Sequence, residues 1–412
     1  MGDILFLAHR IPFPPDRGDK IRSHHLLKEL ARLAPVHVGT FADDAGDAAA
    51  KRDLEALSAT SYVAVRTKSL PLAGFTALLS GKPVSLTAFH DAGLADYVRD
   101  TLARHDISAV VVFSGQMAHY VPADWQGRLV IDFCDVDSAK FEAYSSKGAK
   151  PLMRWINARE GRLLRREEAR QAARAHASLL VSAEEAALFA SRLPVDAQDA
   201  ANVLALHNGI DTRSYDPFTV LPEPALAAIP GPKLIFTGQM DYAPNVAAVC
   251  RAVHRLMPRI RAVLADASFH IVGRKPTAEV LALDGLNGCK VWGRVDDVAA
   301  FLRAADLALV PLEIARGVQN KVLEAMAMAM PVVVSTGAAT GIGAEPGREI
   351  AIGEDDDALV RLTITLLRDR QKAMTMGLAA RRFLEETRSW EATLAPLPAL
   401  MGMDRKGVSD AA

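Results

Sequence analysis

Cysteine is scarce in this chain of 412 residues: Cys134, Cys250 and Cys289 are its three, far apart and with no C-x-x-C pair. That spacing excludes a disulfide framework and a cysteine-based zinc site, so reduced, buried thiols are expected. Net charge is nearly absent, a formal −1. No global field therefore draws nucleic acid or an anionic membrane, and a charged partner has to be met by a local patch. Nucleic acid is not expected as a partner. No apolar run approaches the ~18 residues of a membrane span. The opening strand Asp3-Ile-Leu-Phe-Leu-Ala8 has no basic region before it and no cleavage pattern, so it does not read as a signal peptide. A cytoplasmic protein that touches a membrane without crossing it is the expectation.

What is present is globular in texture: half the residues are hydrophobic and 24% are charged. The length suggests two domains of roughly 150–200 residues. Short apolar runs alternate with helical patterns. Ile4–Ala8, Val36–Phe41, Tyr62–Val65, Ala109–Phe113, Leu129–Phe133 and Ser178–Val181 read as strands, several of them continuously apolar, as when helices cover both faces of a sheet. Ile21–Arg32, Ala48–Ala59 and Asp91–Arg104 read as helices. Five prolines, at 217, 222, 224, 230 and 232, mark residues 217–232 as an interdomain linker. A second series follows, with strands at Lys233–Thr237, Ser268–Val272, Lys290–Trp292, Leu307–Pro311, Pro331–Ser335 and Ile350–Ile352. Its helices are expected at Val246–Met257, Val298–Ala304, Asn320–Ala329 and Asp356–Arg368. The fold class is α/β, with two Rossmann-like parallel-sheet domains, 1–216 and 233–385, and a cleft between the carboxyl ends of their sheets. Residues 386–412 are expected to carry a helix that crosses back to the first domain.

The segment Pro311-Leu-Glu-Ile-Ala-Arg-Gly-Val-Gln-Asn-Lys-Val-Leu-Glu-Ala-Met-Ala327 runs from a strand through a glycine-bearing loop into a helix. Backbone amides at Gly317, Val318, Gln319 and Asn320, the positive end of the helix dipole, Arg316 and Lys321 would together suit a diphosphate. Glu324, a turn further along, could accept hydrogen bonds from ribose hydroxyls. These residues equally fit an ordinary strand-loop-helix unit with Glu324 on a solvated face. Met326, Met328 and Met330 fit the core side of that helix. Gly238, Gly273 and Gly293 each end a strand of the second series. Three such endings favour a ligand floor, although each alone reads as a tight turn. Gly341-Ile-Gly343 is not a dinucleotide fingerprint, because it does not follow the first strand of its unit and Pro346 interrupts the helix that should come next.

In the first half, Pro14, Pro15 and Gly18 shape a loop after the first strand, at the cleft edge, with Arg22 and His24 on the helix behind it. Asp135 and Asp137 follow a later strand. They could deprotonate an acceptor hydroxyl, or simply cap the next helix. His119 is a weaker candidate. The helix Arg154–Arg174 is rich in arginine, with Trp155, Ile156, Leu163 and Leu164 among the charges. It reads either as a surface for an anionic membrane or as a solvated face balanced by Glu160, Glu167 and Glu168.

These pieces carry a resemblance. Leu323-Glu-Ala-Met-Ala327 followed by Pro331-Val-Val-Val, Ala205-Leu-His-Asn-Gly-Ile-Asp211 and Val181-Ser-Ala-Glu-Glu185 make nearly the whole chain similar to the retaining glycosyltransferases of family four, which have the GT-B architecture. Ala315-Arg-Gly-Val-Gln-Asn-Lys-Val-Leu-Glu324 and Asp135-Val-Asp-Ser-Ala-Lys140 resemble the sugar transferases of exosortase and PEP-CTERM exopolysaccharide systems. The resemblance implies a metal-independent enzyme without a cofactor, whose donor substrate is a nucleotide-diphosphate sugar. The acceptor would be a glycan or a polyprenyl-linked sugar at the inner face of the plasma membrane. Glu324 would bind the donor ribose, Gly293 and Val295 would border the base, and Arg316 with Lys321 would hold the diphosphate. The sequence departs from the family at Arg316, where a glutamate that contacts the donor sugar is usual, and at Gln239 and Ala243, where Gly-Arg and a lysine are usual. Two other readings stay open: a nucleotide-sugar epimerase on the same fold, or, because Arg316 stands at that glutamate position, a nucleotide-sugar-binding protein that has lost catalysis.

Overall fold

The computed structural model describes residues 2–15, 18–66, 70–147, 151–198, 201–313 and 318–403. The chain divides into two compact units, Met1–Asn208 with Thr393–Ala412, and Gly209–Ala392.

The first unit is built on seven strands: β1 (Asp3–Ala8), β2 (Val36–Ala42), β3 (Thr60–Val65), β4 (Ile107–Phe113), β5 (Arg128–Cys134), β6 (Ala177–Leu180) and β7 (Val203–Ala205). They lie in the order β3-β2-β1-β4-β5-β6-β7, and every neighbouring pair is parallel. The second unit has β8 (Lys233–Thr237), β9 (Ser268–Val272), β10 (Cys289–Gly293), β11 (Leu307–Val310), β12 (Val332–Ser335) and β13 (Ala351–Gly353). Their order is β10-β9-β8-β11-β12-β13, again all parallel. In each sheet the order reverses beside the first strand of the unit. That switch point splays the following loops apart and is where open α/β sheets receive ligands. The continuous apolar runs are explained by burial on both faces: all seven residues of β2 and all five of β9 are buried.

Helix starts follow their caps. Asp91 accepts the Leu94 amide at the head of Ala92–Arg104, and Asp297 and Asp355 do the same for Val298–Ala304 and Asp356–Arg368. Two expected helices differ. Ala48–Ala59 is replaced by the short helices Ala45–Ala49 and Lys51–Glu55. Val246–Met257 is found as Ala243–Arg251, a wider π turn at Ala252–Leu256, and Met257–Arg261. Pro258 has no N–H to return to the carbonyl a turn earlier, and the wider turn before it avoids the ring's clash with that carbonyl.

The division between units also differs from the expected boundary after residue 216. Ile210 bridges to Ser389 and donates to Arg388 O at 2.7 Å, and Gly209 packs against Trp390, so residues from 209 onward belong to the second unit. The proline-rich segment is anchored there as well. Leu226, on the short helix Pro224–Ala227, is fully buried, and Glu223 N donates to Ala300 O at 2.9 Å. Residues 393–403 pack in the first unit, where Arg128 Nε donates to Leu400 O at 2.6 Å.

Candidate functional site

In the second unit the loops at the carboxyl edge of the sheet interlock. Gly238 N donates to Val272 O at 3.0 Å and Gly273 N to Gly293 O at 2.8 Å. A Cβ on Gly273 would lie 1.6 Å from Gly238 O, so that glycine is required by the contact between loops. Gly293 has open space around it, but its φ of 72° lies in the left-handed region. At Gly238 a Cβ would meet Asn245 Nδ2 at 2.9 Å and Lys321 Cε at 3.3 Å. The bare backbone there lets the β8 loop, the following helix and the helix Asn320–Ala327 converge.

Lys321 is the cation of that cluster. Its ammonium donates to Gln319 Oε1 at 3.1 Å and lies 5.4 Å from the centre of the Phe236 ring. Burial pulls its pKa down to about 8, against the opposing pull of Glu324. Glu324, one turn later, is shifted the other way. Burial raises its pKa, while Lys321 and a hydrogen bond from the Tyr215 hydroxyl lower it. Burial and the Glu324 charge raise Tyr215 in turn. Asn245 is 4% exposed; its Nδ2 donates to Gln239 O at 2.9 Å, while its Oδ1 has no partner among the described residues.

Gln319 is the N-cap residue of Asn320–Ala327, and no side chain caps that helix start. Val318 packs toward Gly341, and Asn320 is exposed. The loop after β11 is fastened from two sides. Arg251 donates to Pro311 O at 3.1 Å and to Asp356 Oδ1 at 2.8 Å, and the Ser335 hydroxyl donates to Leu312 O. Val295 is half-buried against the core of the same unit. Arg316 and Gly317 lie outside the described residues.

The structure thus brings Lys321, Glu324 and Gly238 together and adds three residues to them: Tyr215, Asn245 and Phe236. The helix-opening Pro244-Asn245 was the one available sequence signal among the three. Tyr215 and Phe236 meet the site only through the fold.

Gly18, Asp135 and Asp137 belong to the first unit. Gly18 opens the helix Gly18–Leu33 and is exposed, with free space around it. Asp135 and Asp137 both contact Lys140, at 2.7 and 3.2 Å. Burial pulls Lys140 down, but Asp137 and Asp135 together hold it above the ordinary lysine range. His119 is half-buried and pushed down to about 4 by desolvation, with Nδ1 2.7 Å from Gln116 O. It is a neutral histidine whose ring packs against Tyr120 and His90. Deeper in the first unit, Arg22 Nε donates to the fully buried Asp132 at 2.7 Å, and Nη1 reaches Asn208 Oδ1 at 3.0 Å.

Residues 231–369 match the family model described as glycosyl transferases group 1. The second unit carries that family's pattern. The match contains Gly238, Asn245, Lys321 and Glu324. Over 206 residues, 45% of this chain, the sequence is 32% identical to the GDP-mannose-dependent monoacylated alpha-(1-6)-phosphatidylinositol monomannoside mannosyltransferase of Corynebacterium glutamicum. The chain spans about half the length of that relative, 52%. Among solved structures, Anabaena HepE in complex with UDP and glucose is similar at a TM-score of 0.61 and 16% identity, over 98% of this chain and 100% of that one. A glycosyltransferase from Rickettsia africae is similar at a TM-score of 0.62 and 12% identity, over 98% and 99%. The fold, two parallel-sheet α/β domains of seven and six strands, is that of the GT-B glycosyltransferases.

Proposed function

We propose that the protein is a retaining, metal-independent glycosyltransferase that moves a sugar from a nucleotide-diphosphate donor to a glycan or lipid-linked acceptor in exopolysaccharide assembly. The observation that carries this reading is the Lys321–Glu324 pair beside Gly238, within the segment that matches the family, with the Tyr215 hydroxyl reaching Glu324 from outside that segment. In this reading Glu324 accepts hydrogen bonds from the donor ribose and Lys321, with Arg316, holds the diphosphate. The bond from the sugar's anomeric carbon to the diphosphate breaks as the acceptor oxygen attaches on the same face, and the departing diphosphate takes the acceptor proton. Charge grows on that leaving group, and each strong contact to it is worth roughly 3–4 kcal/mol by analogy with oxyanion donors. Bringing a dianion beside Lys321 would restore the proton that burial makes labile. The mannosyltransferase relative uses GDP-mannose and the Anabaena structure holds UDP, so these two nucleotides lead the donor panel.

The test is a calorimetric titration with UDP-, GDP- and ADP-sugars on the wild type and Glu324→Ala, followed by transfer and hydrolysis assays. Saturable binding to one donor, weakened in the variant and followed by turnover, is expected. Binding without transfer or slow hydrolysis would instead mark a binding protein, and product without any acceptor would mark an epimerase.

The same reading sets the first unit against an anionic membrane. Phe75, Leu78 and Leu79 on Leu70–Ser80 and Leu152, Met153 and Trp155 on Pro151–Ala172 are exposed, and Arg159 ties the two helices by donating to Ala77 O at 2.8 Å. Arg154, Arg162, Arg165 and Arg166 are exposed on the longer helix. Apolar residues flanked by cations are what an acidic lipid surface holds. Flotation with phosphatidylglycerol vesicles should recover the wild type and lose Leu79→Asp/Trp155→Asp. Equal flotation of both would sink the membrane contact.

A further inference from the structure

We propose that Asp3, His37 and His105 form a zinc(II) site at the amino edge of the first unit's sheet, the edge opposite Asp135 and Asp137. Asp3 opens β1, His37 lies on the neighbouring β2, and His105 closes the helix Ala92–Arg104 just before β4. The main chain fixes the three segments, since β1 pairs with both β2 and β4 and Asp3 N donates to Asp106 O at 2.7 Å. One atom from each side chain can then meet in a common space: the three candidate ligand atoms all lie within 4.8 Å of one another. Asp3 Oδ2 is 3.0 Å from His37 Nε2 and 3.9 Å from His105 Nδ1.

Ligands about 2.0–2.1 Å from a tetrahedral zinc sit roughly 3.3 Å apart. The Asp3–His37 pair is already near that separation. His105 Nδ1, 3.9 Å from Asp3 Oδ2 and no more than 4.8 Å from the His37 ligand atom, has to swing inward to reach that separation, and at 38% side-chain exposure it has the freedom to do so. The donor chemistry selects the ion. Two imidazole nitrogens and one carboxylate suit zinc, whereas magnesium and calcium require mostly oxygen ligands. Three protein ligands leave the fourth position to water on the exposed side.

His37 also has the support that metal-binding histidines have. It is 1% exposed, and its other nitrogen, Nδ1, lies 2.8 Å from Thr60 Oγ1, which lies 2.7 Å from the Tyr97 hydroxyl. Nε2–H donates to the Asp3 carboxylate at 3.0 Å; zinc would take the place of that proton, and Nδ1–H would then donate to Thr60, the tautomer a metal requires. With Nδ1–H donating to it, Thr60 Oγ1 would in turn donate its own hydroxyl hydrogen bond to Tyr97. A zinc there would cross-link β1, β2 and the start of β4, a role independent of the donor chemistry in the second unit.

The experiment uses the full chain stripped of metal with a chelator. Zinc chloride is titrated calorimetrically, and cobalt(II) is added separately to read its visible bands. A single equivalent of zinc is expected, with cobalt bands of a nitrogen–oxygen site. His105→Ala and Asp3→Asn should weaken zinc by at least roughly tenfold and remove those bands, and Thr60→Val should weaken it roughly tenfold by freeing the ring. Circular dichroism of the apo variants should match the wild type, and His105→Gln serves if His105→Ala does not fold. Absence of zinc binding would overturn the proposal. So would a full equivalent that survives both His105 substitutions, which would place the ion on other histidines.

Discussion

Lys321 is a cation held where charge is costly, and the cost sets its behaviour. Its pKa is about 8 in the fold against an ordinary 10.5. Between those values the unfolded chain holds a proton that the folded chain has released, so stability rises as pH climbs through that window. Below pH 8 the buried charge costs about 3 kcal/mol. Lys321→Met should therefore raise the second unit's melting temperature at neutral pH while it weakens donor binding. Function and stability would then part at one residue. Donor affinity in the wild type should fall as pH rises above about 8, because the ammonium that meets the diphosphate is lost. Lys321→Arg cannot lose its charge in that range, and its affinity should stay level. Calorimetric titrations across that pH range check both, and a wild-type affinity flat above pH 8 would remove Lys321 from the diphosphate. Lys321 and Glu324 were legible in the sequence because a strand, a glycine loop and a helix start place them by local rules. Tyr215 was not, since its hydroxyl reaches Glu324 from a loop distant in sequence.

Among the helices of the first unit, acids of the arginine-rich segment serve its neighbours. Glu160 accepts the amides of Val84 and Ser85, at 2.8 and 2.9 Å, and so caps the helix Val84–Ala88. Glu168 accepts from Ser138 N at 2.9 Å and from its hydroxyl at 2.5 Å, near the start of Asp137–Lys147. Both acids are buried, so they hold this face together and do not balance the outward arginines. In the sequence they read as surface partners, because a charge run does not reveal which of its members turn inward. The apolar Leu70–Ser80 was missed for a related reason: its sequence has too few polar residues to display a helical period. Burial lifts Glu168 to about 7 even though Ser138 opposes the shift. The folded state thus keeps a proton that the unfolded chain loses above about 4.5, and stability falls as pH rises from 4.5 to 7. Glu168→Gln retains an acceptor for Ser138 N and offers a donor to its hydroxyl. It should stabilise the first unit by about 2–3 kcal/mol above pH 7 and flatten that slope. Thermal unfolding across this pH range measures it, and a variant less stable than wild type at pH 8 would show that the carboxylate is needed as an anion.

At the scale of the whole molecule, the first unit is discontinuous: the chain leaves it at Asn208, builds the second unit and re-enters at Thr393. The repeated alternation of strand and helix made the two-sheet plan legible. The exact points of exit and return depend on long-range packing, such as Gly209 against Trp390, which no local pattern reveals. The returning segment is short but well buried. Leu394, Leu397, Met401 and Met403 are each no more than 6% exposed, and Arg128, at the head of β5, donates to Leu400 O. Removing these side chains uncovers apolar surface worth roughly 1.5–3 kcal/mol each, partly offset by freeing the segment's backbone. A chain ending at Ala392 should therefore lose about 5 °C or more in the first unit's unfolding temperature. Amide exchange should quicken in β5 and stay unchanged in β11, because the second unit keeps all its own residues. Arg128→Ala in the full chain removes only the hydrogen bond and should produce a smaller effect at the same strand. Exchange measured by mass spectrometry on the three proteins separates these outcomes. Unchanged protection of β5 in the shortened chain would mean that the returning segment covers the first unit without supporting it.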